Sequence, residues 1–367
     1  MRPNLRLLLL APLAGSLIFA SACGDDAGNG DQDNGSGNGG SAGQQQAPEL
    51  AWNEVPLGLE AMDAAFDSNV PEDNEMTEAN VALGKQLFFD KRLSADGSTS
   101  CQTCHQHRYG WTNGERFSTK VGGAQNTRNS PTMYNVGYHG DLYWDGRAPS
   151  LEVNIAAAWK GHMNKGEDTQ ARADEIGAIE GYASQFQDVF GEAPTTENVT
   201  KALASFTRSL RAGNSAWDQY EATKDASLVS PEAIAGQKLF TIKGGCIACH
   251  LPPLYRSDQY HAVGVGETKD IGRGKIEENN PLAQGAFRVP TLRNITKTAP
   301  YFHDGSVSEL REAVYIMASG GAQSEFFPTN SPVLQNRNLS DGEIDLIVEF
   351  LKTLESTEGF TPPTLPE

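Results

Sequence analysis

Cys101-Gln-Thr-Cys104-His105 and Cys246-Ile-Ala-Cys249-His250 are two copies of one pentapeptide, C-x-x-C-H, in a chain of 367 residues. In an exported protein that spacing reads as the covalent attachment point of haem c. The two thiols add to the porphyrin vinyl groups as thioethers, and the adjoining imidazole becomes the proximal iron ligand. Paired cysteines also hold zinc, but zinc has no need of a histidine directly after each pair. Two copies of that coincidence favour haem. The cofactors expected are therefore two covalent haem c groups, one on Cys101, Cys104 and His105 and one on Cys246, Cys249 and His250.

Each haem needs a helical shell, and the chain repeats one. Gly84-Lys-Gln-Leu-Phe88 precedes the first motif and Gly236-Gln-Lys-Leu-Phe240 precedes the second. Ser230 is an N-cap for the second copy, with Pro231 in its first turn. Val81, Gly84, Leu87 and Phe88 recur at helical spacing. Val199, Ala202, Leu203, Phe206 and Leu210 form a second stripe, with Gly213 as its stop. Ser340 and Glu343 form a capping box ahead of Ile344, Ile347, Val348, Leu351 and Leu354. No alternating strand ladder is evident. The fold class predicted is mostly α, two cytochrome-c-like domains with one haem each, over 51–225 and 226–355. Residues 356–367 read as a tail, and the last helix is free to pack on either domain.

The fifth cysteine belongs to the N-terminus. Arg2 and Arg6 precede a 16-residue apolar run, Leu7 to Ala22, shorter than the roughly 20 residues of a membrane span. A basic start, an apolar middle and small residues at the end describe a secretory signal over 1–22. Phe19-Ala20-Ser21-Ala22-Cys23 resembles a bacterial lipobox, with Ala20 in place of the usual Leu, which makes Cys23 the lipid attachment point. Residues 24 to 46 hold nothing apolar larger than alanine, so the stretch 23–50 reads as a tether, spanning roughly 25 Å. The expected location is the periplasm or cell envelope, on a membrane through the lipid.

Composition narrows the partners. The chain carries 29 basic and 47 acidic side chains, a formal charge of −18. Removal of residues 1–22, with two arginines and no acid, takes it to −20. Sequence-independent nucleic-acid binding is excluded, since it needs Lys and Arg to displace counterions from phosphates. An acidic surface favours a basic docking patch on a protein partner.

Further stretches carry a resemblance over roughly 50–355. These are Arg128-Asn-Ser-Pro-Thr132, Tyr143-Trp-Asp-Gly-Arg-Ala148, Val289-Pro-Thr-Leu-Arg-Asn294 and Thr298-Ala-Pro-Tyr-Phe-His-Asp-Gly-Ser306, with Met317 beyond. The chain resembles the bacterial dihaem cytochrome c peroxidases, whose relatives include MauG-like enzymes that oxidise protein side chains. The resemblance implies that the second haem, between His250 and Met317, receives electrons, and that the first, on His105, meets hydrogen peroxide. Met317 follows Leu310 and Val314 on one helical face, starting near Ser308 as a cap. MauG carries Tyr at that position, so Met317 favours the peroxidase branch. Trp144 matches the aromatic residue between the haems. Asn129, Thr298 and Pro300 match the ligands of an inter-haem calcium, by one amide side chain and two carbonyls, fitting a hard cation.

Two departures from the family stand out. Where many members carry a distal histidine ligand this chain has Val121, so the resemblance implies an open sixth position. His107 and His139 are the nearest alternatives and read as loop or surface residues. At the distal acid and base positions stand Asn154 and the run Trp159-Lys-Gly-His-Met-Asn164. His162 can shuttle a proton, whereas a gapless count places Asn164 there, which cannot. The activity implied is peroxide reduction with electrons from a small redox protein, a cytochrome c or a cupredoxin. The alternatives are side-chain oxidation on a partner protein, or a dihaem electron carrier without catalysis. A homodimer is left open.

Overall fold

The computed structural model describes residues 48–266, 269–323 and 331–367. The signal and Cys23 lie outside the described residues, as does the tether up to 46. Among the described residues no helix is long and apolar enough to cross a membrane.

Nine helices matter here: α1 (Glu78–Phe89), α2 (Leu151–Ala158), α3 (Gln170–Gly177), α4 (Glu180–Phe190), α5 (Thr196–Ser209), α6 (Ala216–Thr223), α7 (Pro231–Thr241), α8 (Leu310–Ala318) and α9 (Asp341–Lys352). A two-residue antiparallel pairing, β1 (Tyr260–His261) with β2 (Phe287–Arg288), is the one named sheet among the described residues. Long loops fill the rest.

The two halves repeat one helix crossing. A Cβ placed on Gly84 would lie 1.9 Å from the Ala202 carbonyl oxygen, and one on Gly236 would lie 1.8 Å from that of Leu346. Only glycine allows α1 to meet α5, and α7 to meet α9, at that separation. One turn further on, Phe88 packs on Phe206 at 5.2 Å between centroids, and Phe240 packs on Phe350 at 5.3 Å. Burying such a ring contributes roughly 1.5–3 kcal/mol. The short repeat in the sequence is thus one backbone contact made twice.

Local signals set the helix starts. Ser230 accepts a hydrogen bond from the Ala233 N–H with Pro231 in the first turn, and Ser340 and Glu343 form a reciprocal capping box. Thr195 and Asn198 form another at α5. That helix ends at Ser209 because Leu210 leaves helical dihedrals (φ −74°, ψ 80°), so Gly213 is not its stop. At α8 the N-cap is Glu309, not Ser308, and no side chain caps it.

The two largest of four hydrophobic clusters among the described residues lie in different halves. The first gathers α1, α4 and α5 around Phe88, Trp111 and Phe206. The second gathers α6, α7 and α9 around Trp217, Phe240 and Phe350. The last helix therefore packs in the second half. Trp217 joins it there, and Arg293 grips the buried Asp218 with two hydrogen bonds of 2.7 and 2.8 Å. The end of the chain returns to the first half: Phe360 sits 4.9 Å from Trp111 and 5.6 Å from Phe89. Arg92 Nη2 also donates to the Pro366 carbonyl at 2.8 Å. A segment with a large aromatic near its end has somewhere to bury it, and this one does.

Candidate haem sites and the wall between them

Each C-x-x-C-H lies beside its own cavity, of about 270 Å³ in the first half and about 240 Å³ in the second. Cys101, Cys104 and His105 line the first; Cys246, Cys249 and His250 line the second. His105 Nδ1 donates to the Trp111 carbonyl at 2.9 Å, and His250 Nδ1 donates to the Tyr255 carbonyl at 3.0 Å. A carbonyl can only accept, so each Nδ1 carries the proton and each Nε2 is left as the metal-binding nitrogen. All four thiols are free. Burial pushes the Cys101 thiol up to about 12 and the Cys246 thiol up to about 11. The donor sets fit thioether-linked haem.

Around these shared parts the two cavities differ. Met317 lies on the second, on α8 with Leu310, Ala313 and Val314. His162 and Asn154 lie on the first, together with Tyr143 and Arg147. Among the described residues, His105 and His162 are the histidines on that cavity.

His162 owes its position to a π turn. After α2 the chain widens into a π-helix over Trp159–Met163, a feature that often marks functional sites. Outside partners satisfy the carbonyls it frees. The Val121 N–H donates to His162 O at 2.9 Å, and the Ala95 N–H donates to Met163 O at 3.0 Å. Asn164 is 1% exposed, and its amide donates to the Leu93 and Trp159 carbonyls, both at 3.1 Å. It is tied into the backbone and does not line the cavity. Burial first, and then Lys120, His105 and Arg147, hold the His162 imidazole down to about 4, so it is neutral at pH 7. Val121 is buried and does not line the cavity either.

Asn129, Ser130, Pro131 and Thr132, with Arg288, line both cavities and form the wall between them. Hydrogen bonds across the halves stitch this wall together. The Trp144 indole donates to Asn129 O at 2.9 Å, the Arg288 N–H donates to Trp144 O at 2.9 Å, and the Asn129 N–H donates to His303 O at 2.7 Å. Arg128 pins the second half from beside the wall. It donates to Asp270 at 2.6 and 2.8 Å and pairs with Asp145 at 2.7 Å. Asn129 Nδ2 donates to the Glu115 and Arg116 carbonyls at 2.9 and 3.3 Å, which turns its amide oxygen away from them. Asn129, Thr298 and Pro300 line the same cavity. No cluster of His, Cys, Asp or Glu suited to a metal occurs among the described residues.

His139 differs from its reading as a loop or surface residue. It is buried, accepts a hydrogen bond from Arg288, and lines the second cavity. His107 is half-buried, packed between Trp111 and Phe360. Sequence reasoning missed Arg288 altogether, because one arginine among 29 basic residues carries no spacing signal.

Two helical halves, each closing around its own C-x-x-C-H cavity, define a two-domain c-type cytochrome. A profile of the di-haem cytochrome c peroxidase family matches residues 78–227, and a cytochrome c profile matches residues 233–355. The chain is 36% identical over 302 residues to the methylamine utilization protein MauG of Methylorubrum extorquens, covering 81% of this chain and 84% of that one. It is 33% identical over 322 residues to the cytochrome-c peroxidase IdrP1 of Denitromonas iodatirespirans, covering 79% and 85%. A crystal structure of a MauG-like protein associated with microbial copper homeostasis superposes with a TM-score of 0.72 at 26% identity, over 84% of this chain and 96% of that one. The chain belongs to the di-haem cytochrome c peroxidase family, a family of oxidoreductases.

Proposed function

We propose that this protein reduces hydrogen peroxide to water in the first cavity, with electrons received at the second from a small redox protein. The observation that carries the reading is the asymmetry of the cavities: His162 faces the one that holds His105, and Met317 faces the one that holds His250. Haem held by Cys101, Cys104 and His105 would supply the redox couple for reducing peroxide. His162 takes a proton from peroxide and returns it to the departing oxygen, the shuttle that heterolysis requires. Asn154 offers its amide to the same space. His250 and Met317, on the second cavity, would hold its haem iron, and a thioether ligand would raise that haem's potential so that it accepts electrons readily. Trp144 and the wall segment bridge the two. The Asn129 side chain with the Thr298 and Pro300 carbonyls would hold a calcium ion beside that wall.

The kinship to MauG supports a second reading, in which the oxidising equivalents go to side chains of a partner protein. Met317 argues against it. One experiment separates the two. Oxidised, calcium-loaded holoprotein is mixed with peroxide, the haem spectrum is followed, and reduced cytochrome c is then added. Rapid oxidation of the donor supports peroxide reduction, whereas a long-lived oxidised state that ignores small donors supports the second reading. If peroxide leaves the spectrum unchanged, both fail and an electron carrier remains. We further read residues 1–22 and Cys23 as export and lipid attachment, which mass spectrometry of the mature N-terminus tests.

A further inference from the structure

Arg288 stands in the wall and lines both cavities, and it is only 9% exposed. A buried guanidinium is costly without an anion. Its nearest carboxylate oxygen among the described residues, Asp141 Oδ1, is 3.9 Å away, beyond hydrogen-bond reach. The other oxygen of that carboxylate already accepts from the Tyr260 hydroxyl. Among the described residues Nη1 alone has partners, the Asp141 carbonyl and His139 Nδ1, which leaves Nε and Nη2 with none. The other arginines on the first cavity are matched within hydrogen-bond reach, Arg128 by Asp270 and Asp145 and Arg147 by Asp145, and Lys275 is more than half exposed to solvent.

His139 extends the pattern. Because it accepts from Arg288 at Nδ1, its proton sits on Nε2, and Nε2 is buried without a partner. Burial first, then Arg288 and Arg256, hold this imidazole well below its ordinary value, so it is a neutral donor. Unmatched donors on the edges of two cavities call for acceptors from whatever fills them.

We propose that Arg288, backed by His139, binds the propionate carboxylates of both haems, one guanidinium serving two cofactors. The proposal rests on the haem reading above. Haem c presents two propionates, and a planar guanidinium suits carboxylates. His139 lines the second cavity only, so its contribution falls to the second haem.

The test uses holoprotein of the wild type, R288Q, R288K and H139N, with haem content measured first and both midpoint potentials by spectroelectrochemistry. Loss of a nearby positive charge favours the ferric state. R288Q is expected to lower both midpoints while H139N moves the second alone. Two bound haems with neither midpoint moved by R288Q, or only one, overturn the proposal and leave the haem reading standing. A wild type without covalent haem overturns both. Should R288Q fail to accumulate, R288K decides. It keeps the charge and loses the forked donor, so both midpoints stay near wild type while the propionate bending modes shift in the resonance Raman spectrum. Unchanged modes sink the proposal.

Discussion

The indole N–H of Trp144 is hydrogen-bonded at 2.9 Å to the carbonyl of Asn129, a residue exposed to both haem cavities. The bond fixes the ring against the wall segment that lines both cavities. Replacing Trp144 by Phe keeps much of the packing and removes that bond, at a cost of about 1 kcal/mol in stability. Electron transfer from the second haem to the first is expected to slow, with both ferric spectra unchanged. Stopped-flow reduction, followed at wavelengths that separate the haems, reads the step directly; an unaltered rate would remove Trp144 from the route.

The π turn puts His162 on the first cavity and ties Asn164, two residues on, into the backbone. His162→Ala is expected to lower kcat/KM for peroxide by roughly 100- to 10,000-fold, the usual worth of a general acid–base group, with haem content intact. Asn164→Ala takes the side-chain donor from the Trp159 carbonyl and one of two donors from that of Leu93, which the Trp159 indole still serves at 2.8 Å, so it costs about 1–3 kcal/mol of stability and leaves turnover per folded molecule alone. Steady-state kinetics beside thermal melts of both variants tell the roles apart, and the reverse pattern would exchange them.

Gly84 and Gly236 make equal demands in the two halves. Alanine at either places a Cβ within 1.9 Å of a helix carbonyl, which forces the crossing apart and costs about 3 kcal/mol. Gly97, with open space around it, provides a local comparison, although its φ of +70° adds backbone strain of its own. Denaturant melts should rank Gly84→Ala and Gly236→Ala well below Gly97→Ala; equal losses at all three would refute the close-approach argument.

The Arg128–Asp270 pair makes stability depend on acid. Burial alone would raise the Asp270 carboxyl, yet hydrogen bonds from Arg128 and the Gly272 N–H hold it at about 2 against an ordinary 3.8. A depressed carboxyl stabilises the fold fully above the ordinary value, and its contribution is lost as pH falls through about 2. The difference is worth about 2 kcal/mol at neutral pH. Asp270→Asn should lose that amount at pH 7 and converge on the wild type near pH 2. Parallel stability curves across that range would rule out the pair as their cause.

Much of this arrangement could be read from the chain because its signals are local. The C-x-x-C-H spacing, the Ser340/Glu343 box, the Ser230–Pro231 start and the glycine repeat each lie within a few residues. The wall is different. Arg128-Asn-Ser-Pro-Thr132 stands out as a motif, but nothing within it says that it faces two cavities at once. Between His162 and Asn164 the sequence does not choose, because a gapless count carries no trace of the π turn that puts one on the cavity and ties the other into the backbone. His139 looked like a loop histidine because its burial depends on Arg288, 149 residues away. Phe360 was hidden in a presumed tail, since only a partner far upstream gives its ring a place.

That last contact has a consequence for how the molecule is made. The aromatic cluster of the first domain, with Trp111 directly after the carbonyl-anchored His105 loop, is closed by Phe360. Residues 359 and 361 are hydrogen-bonded to Pro48 and Glu49. A ribosome delivers the first domain's motif some 250 residues before it delivers its final ring. The first domain must therefore wait, incomplete, while the second is synthesised, and a chain that stops short of residue 360 never seals the half that was begun first.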